Sequence, residues 1–146
     1  HGFVCANAGV DLSNVEAGQA ALLPVDPDRS ARRIRDALRH RFSVDVAVVV
    51  SDTFGRPWRR GVTDVAIGCA GLRPVVDLRG TTDALGRELQ VTEVAVVDEI
   101  AAAAELVMGK AAGVPVAVVR GIDPAWFGDG SVVDDVVRSP DEDLFR

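Results

Sequence analysis

Between Val44 and Ser51 the chain reads VDVAVVVS, a short β-branched run with no glycine or proline. A buried strand is the conformation that satisfies it. Aromatic residues are scarce and tyrosine is absent, so the core around that strand must be built from Val, Ala, Leu and Ile. At 146 residues the chain is one domain's worth and long enough to bury such a core.

The flanking segments supply the other elements. In LLPVDPDRSARRIRDALRHRF, Asp26 can cap a helix whose first turn accepts Pro27, and Ala31, Ile34, Leu38 and Phe42 recur at helical spacing. After an Arg-rich turn, TDVAIGCAGLRPVVDLRG reads as one or two further strands interrupted by glycines, and TTDALGREL as a turn. VTEVAVVDEIAAAAELVMGK is the longest helical candidate, with Val97, Ile100, Ala104 and Val107 on one face. Glu93, Asp98, Glu99 and Glu105 punctuate it as solvated positions. VPVAVVRG is a second breaker-free apolar run, and its Arg120-Gly121 end is either a strand exit or a phosphate contact. The tail is acidic and Gly-rich, a loop anchored by Trp126 and Phe127. Helices and strands without regular βαβ alternation predict an α+β fold, a mixed sheet with packed helices.

Several function classes are disfavoured. A net charge of −6 argues against a general nucleic-acid binder. No apolar stretch approaches the length of a membrane span, and HGFVCANAG lacks the charged start and long apolar centre of a signal peptide. Cys5 and Cys69 are isolated thiols without metal-ligand spacing, which suits buried residues in a reducing cytoplasm. The absence of an initial Met suggests a fragment or a processed chain. Lys110 is the sole lysine, but the excess of Arg, Ala and Val suits a GC-rich coding bias, so its rarity alone carries no function.

Chemistry concentrates where the first apolar run meets Ser51-Asp52-Thr53. A strand ending in Asp-Thr would present a carboxylate and a hydroxyl at a sheet rim, both oxygen donors suited to Mg2+ or Mn2+. The adjacent Gly55 allows close approach of a ligand, and Arg56, Arg59 and Arg60 could hold phosphate bidentately. That set fits phosphoryl chemistry. The same residues also fit a capped turn followed by a solvated basic loop. In AGVDLSN, Asp11 and Asn14 flank Ser13 as ordinary turn formers, and Asp11 gains weight only beside Asp52. LVMGKAAGVP places Met108, Gly109 and Lys110 at a helix end. It is no Walker A loop, since it lacks the leading glycine and the Ser or Thr after lysine, and a helix stop accounts for it. His1 and His40 have no partners for nucleophilic catalysis. An aspartyl-phosphate mechanism of the haloacid-dehalogenase kind lacks its second acid, because Thr53-Phe54 follows Asp52.

Taken in order, AGVDLSN, LLPVDPDRSA, VVVSDTFGRPWRRGVTDVAIGCAGL, DLRGTTDALGREL, TEVAVVDEIAAAAELVMGK and PVAVVRG resemble the coenzyme F420-0:γ-glutamyl ligases over nearly the whole chain. The actinobacterial members, often fused to a nitroreductase-like domain, look most similar. The resemblance implies a GTP-dependent, cytoplasmic ligase that adds L-glutamate to F420-0 through an acyl phosphate. It implies Mg2+ or Mn2+ as cofactor and an intertwined α+β homodimer. By motif, Asp11 and Asp52 match the acids that hold one metal, Thr53 a ligand of a second, and Asn14 a GTP contact. The Met108-Gly109-Lys110 segment matches a GTP-binding stretch. Arg56, Glu93 and Glu99 fall in matching blocks that assign them no sharp role, and Arg56 stands with Asp52 as a candidate catalytic residue on the chemistry of its own stretch. Two departures stand out. Archaeal relatives tend to carry Gln where Lys110 stands, placed at the second metal, and an ammonium cannot ligate a cation, so Lys110 is expected on phosphate. Family members also carry a further N-terminal segment with nucleotide contacts. The chain is therefore expected to be the C-terminal part of a ligase domain, with little or no activity alone. The rival readings are a non-catalytic nucleotide- and metal-binding module and a metal-dependent phosphohydrolase.

Overall fold

The computed structural model describes residues 2–144 apart from Val4, residues 6–8 and Asn14. Its longest helix, α1 (Pro27–Phe42), begins and ends on local signals. The Asp26 side chain accepts the Arg29 amide at 2.7 Å, Pro27 occupies the first turn, and Ser43 closes the helix in the left-handed region at φ 54°. Ala31 is fully buried and Leu38 half-buried, whereas Ile34 and Phe42 stay exposed. Arg35 instead turns inward and donates from Nε to the Val46 carbonyl.

The centre of the fold is a long antiparallel hairpin of β3 (Val48–Arg56) and β4 (Arg59–Ala70), turning at Pro57-Trp58. The apolar run is thus a strand, but the strand does not stop at Ser51-Asp52-Thr53. It continues because β4 pairs with every polar residue of that stretch. The register shifts twice, at Gly55/Arg56 and at Val50/Ser51. The first shift lies beside Gly61, whose φ of +85° only glycine adopts cheaply. Two short ladders flank the hairpin: β1 (Val10–Asp11) with β2 (Ala21–Leu22), and β5 (Val76–Asp77) with β6 (Glu93–Val94). The α+β class holds, but among the described residues the strands form three separate two-stranded antiparallel ladders in place of a mixed sheet.

Helix α2 (Val96–Met108) is shorter than α1, contrary to expectation, and buries Val96, Val97 and Ala101, while Val107 is exposed. Both helices pack against β4. The core is Ala31, Ala66, Ile67, Cys69, Ala70, Leu72, Val96, Val97, Ala101 and Val132, small apolar residues as the composition required. Small side chains permit close approach. A Cβ on Gly68 would lie 2.3 Å from the Pro27 carbonyl carbon, so the start of α1 rests on bare backbone. Asp28 locks this junction, accepting the Cys69 and Val132 amides at 2.8 and 3.0 Å and the Ser131 hydroxyl at 2.9 Å. The tail is more than loop: a 3-10 turn (Pro124–Trp126) and a short helix, α3 (Val132–Asp135), return to the core through Trp126 and Val132. VPVAVVRG forms no strand; Val114, Val116, Val118 and Val119 are exposed.

Candidate functional site

In the middle of β3, alternation sends Ser51 and Thr53 to one face of the hairpin and Asp52 and Phe54 to the other. On the first face both hydroxyls meet Asp64 of β4, directly opposite Thr53 in the register. Ser51 Oγ donates to Asp64 Oδ2 and Thr53 Oγ1 to Asp64 Oδ1, each at 2.8 Å. On the second face, the Phe54 ring stands edge-on to Phe3 at 5.9 Å. The Asp52 carboxylate accepts the Thr53 amide at 2.8 Å. Its charge is felt by Cys5, whose thiol burial raises and Asp52 raises further. Asp52 and Thr53 are thus mid-strand, not at a sheet rim.

Lys110 joins distant parts of the chain. Helix α2 stops at Gly109, which takes φ +64° and donates its amide to the Glu105 carbonyl at 2.9 Å. The helix-stop reading is therefore correct, yet it leaves Lys110 Nζ donating to Thr53 Oγ1 at 3.1 Å. Asp11 lies within reach of the same charge. The Ser13 amide and hydroxyl, at 2.8 and 2.7 Å, hold the Asp11 carboxyl below the ordinary carboxylate range, and the Lys110 ammonium lowers it further. The turn-former reading of AGVDLSN holds, and Asp11 lies in the field of Lys110, while the Asp52 side chain leaves β3 on the face opposite Thr53. Asn14 lies outside the described residues, and Met108 is the half-buried last residue of α2.

Arg56 sits at the turn end of β3, where its guanidinium donates to the Arg60 carbonyl at 3.2 Å. Its Nε is buried with no hydrogen-bond partner among the described residues. Arg59 and Arg60 are exposed near the hairpin turn. Glu99 is exposed in the first turn of α2, as expected. Glu93 belongs to β6, not to the helix, and pairs with Arg79 at 3.2 Å. Asp98 departs from the solvated reading: half-buried, it accepts the Ala66 amide at 2.9 Å, and burial raises its carboxyl. Arg120 is exposed.

The site's donors are all oxygens, the set a hard divalent cation prefers. Among the described residues no three carboxylate, imidazole or thiolate side chains converge. Oxygen donors so few would suit only a cation of the Mg2+ kind, which takes one or two carboxylates and keeps water and phosphate oxygens for the rest of its shell. Reading the sequence missed Asp64 and Asp28. The signal for each was an acid inside an otherwise apolar or helix-initiating stretch, and neither could be tied to a partner without the register.

The family model described as F420-0:Gamma-glutamyl ligase matches residues 1–121. The chain is 50% identical over 148 residues to the coenzyme F420:L-glutamate ligase of Methanopyrus kandleri, covering 99% of this chain and 59% of that protein. It is 49% identical to the same-named protein of Methanothermobacter thermautotrophicus, covering 100% of this chain and 58% of that one. For Archaeoglobus fulgidus the figures are 47%, 99% and 57%. The chain thus spans rather less than two thirds of the length of these relatives. A family match over most of the residues, with the Asp11, Thr53 and Lys110 segments inside it, leads to one conclusion: the chain belongs to the F420-0:gamma-glutamyl ligase family.

Proposed function

We propose that the whole protein is a GTP-dependent ligase that joins L-glutamate to F420-0 through a γ-glutamyl amide, with an acyl phosphate on the way. The observation that carries this reading is the convergence of a hydroxyl, an ammonium and a carboxylate, Thr53, Lys110 and Asp11, from three distant segments of a chain in this family.

A carboxylate resists attack by an amine because oxide is a poor leaving group, and phosphorylation by GTP replaces oxide with phosphate. Asp11 and Asp52 would hold one Mg2+ or Mn2+ and Thr53 would face a second. Bound there, the cations would offset the negative charge of the phosphates. Lys110, with Met108 and Gly109 beside it, would bind GTP, the ammonium acting as a point charge on phosphate, and Asn14 is proposed as a further GTP contact from its motif alone. Arg56 would neutralise charge on the transferred phosphoryl group, and a phosphate oxygen would satisfy its buried Nε. A cytoplasmic homodimer completes the proposal, and the exposed apolar run at residues 114–119 supports a partner surface. No helix of the described residues is long and apolar enough to cross a membrane.

The test is GDP release by the intact protein. Release is expected only with F420-0 and glutamate both present, and Asp52→Asn is expected to lower it by at least a hundredfold, the scale of losing a principal electrostatic group. Release without an acceptor would instead identify a phosphohydrolase. Binding of GDP and Mn2+ with no turnover would leave a nucleotide-binding module.

A further inference from the structure

We propose that Asp64 is the positioning residue of the site: a buried carboxylate that accepts the hydrogen bond of the Thr53 hydroxyl and so turns the Thr53 lone pairs outward. The inference rests on the reading of Thr53 as a cation ligand. Asp64 is only 5% exposed, and among the described residues no ion pair reaches it. A charge in that position needs strong donors or a cation nearby. It has two hydroxyls at 2.8 Å, and the positive charge next in line is Lys110, one hydrogen bond further out through Thr53.

The direction of these bonds is decisive. A threonine hydroxyl has one proton and two lone pairs. With its proton committed to Asp64 Oδ1, Thr53 Oγ1 can only accept from the other side. It does so from Lys110 Nζ at 3.1 Å, so an outward lone pair is available to a positive group. Without Asp64 the hydroxyl is free to rotate, and its proton can point toward an incoming cation. Ser51 supplies the second donor to Asp64 and fixes its other carboxylate oxygen on the same face of the hairpin. A purely structural Asp64 would merely tie β3 to β4 below the register shift. The two roles differ in what they do to metal affinity.

The experiment is Mn2+ binding to the intact protein in the presence of GDP, followed by electron paramagnetic resonance. Thr53→Val is expected to weaken uptake, and Asp64→Leu to weaken it by a similar factor, about tenfold or more for a charge-assisted hydrogen bond. Asp64→Asn keeps an acceptor oxygen for Thr53 and is expected to retain most of the affinity. Combining Asp64→Leu with Thr53→Val should add nothing. If Thr53→Val changes nothing, the cation reading of Thr53 fails and Asp64 falls with it. If Thr53→Val weakens binding but Asp64→Leu does not, or if the two losses add, the positioning role alone is overturned. Should Asp64→Leu not fold, the unaltered protein decides. The Thr53 hydroxyl proton, shielded by Asp64, should stay visible by NMR when Mg2+ saturates the site, and its disappearance would mean that the hydroxyl had turned.

Discussion

A buried carboxylate, a buried thiol and a surface ammonium show how the fold uses single residues. Asp28 is 4% exposed; burial raises its carboxyl, but the Cys69 and Val132 amides, the Ser131 hydroxyl and the Val133 amide outweigh that and hold it below the ordinary range. A carboxyl depressed in the folded state stabilises fully above its unfolded value of about 3.9, and that contribution is lost as pH falls through the lower folded value. Asp28→Ala should therefore cost on the order of 3 kcal/mol at neutral pH, since three amides and a hydroxyl lose their acceptor. In thermal melts taken from pH 7 to pH 2 the difference from the natural chain should shrink below pH 4. An undiminished difference at pH 2 would show that packing, not the charge, is what Asp28 supplies. Its neighbour Cys69 is pushed up to about 12, by burial first and then by Asp28 and Asp135. The folded protein should leave Cys69 unalkylated by iodoacetamide at pH 8, with modification only on unfolding. Lys110 acts at the surface instead. Its ammonium shares the field of Asp11 with any divalent cation, so Lys110→Met should raise Mn2+ affinity several-fold at low salt while weakening GTP binding. A fall in Mn2+ affinity would contradict that competition.

At the scale of elements, Gly68 is the position where helix and strand must touch. A Cβ there would stand 2.3 Å from Pro27 C and 2.5 Å from Pro27 O and Asp28 N, all backbone atoms that cannot rotate away. Gly68→Ala should push α1 off β4, break the Asp28 bond to Cys69, and lower stability by about 2–3 kcal/mol. Gly55→Ala in the same hairpin, with nothing within 4 Å of the new Cβ, should be near neutral in the same urea titration. Equal losses would show that hairpin backbone freedom matters more than the contact. The contrast also explains what could be read from the sequence. Helix α1 was legible to its cap, because Asp26, Pro27 and the Arg29 amide are near neighbours in the chain. The hairpin was not. A two-residue turn at Pro57-Trp58 in strict register would set Thr53 opposite Val62, and the shift beside Gly61 sets it opposite Asp64. Both partners lie on the same face, so the alternation of side chains gives no hint of which is right. Polarity alone makes Asp52 and Thr53 read as the end of a strand, whereas a buried acid on the partner strand accepts from the Thr53 hydroxyl. The meeting of Thr53 with Lys110, 57 residues away, leaves no periodic trace. It came into view only through the ordered motifs that resemble a family.

For the whole molecule, the unsettled surface is the apolar run at residues 114–119. β-branched residues without breakers predict a strand, yet here the run forms no backbone hydrogen bond with another described residue, and Val116 and Val118 are 71% and 77% exposed. An apolar segment whose amides and carbonyls make no backbone hydrogen bond among the described residues favours association, since pairing would satisfy the backbone while burying the side chains. The proposed homodimer gives that segment its partner. Burying two valine side chains contributes roughly 3 kcal/mol in total, which is about a hundredfold in a dissociation constant. Val116→Asp together with Val118→Asp should therefore weaken self-association of the intact protein by at least that factor in sedimentation equilibrium. Circular dichroism should report unchanged helix content, because α1 and α2 pack against β4 and the two valines are exposed. A double variant that stays as tightly associated as the natural protein would remove residues 114–119 from the interface. One that loses helix as well would show that the run is packed within the subunit of the whole protein.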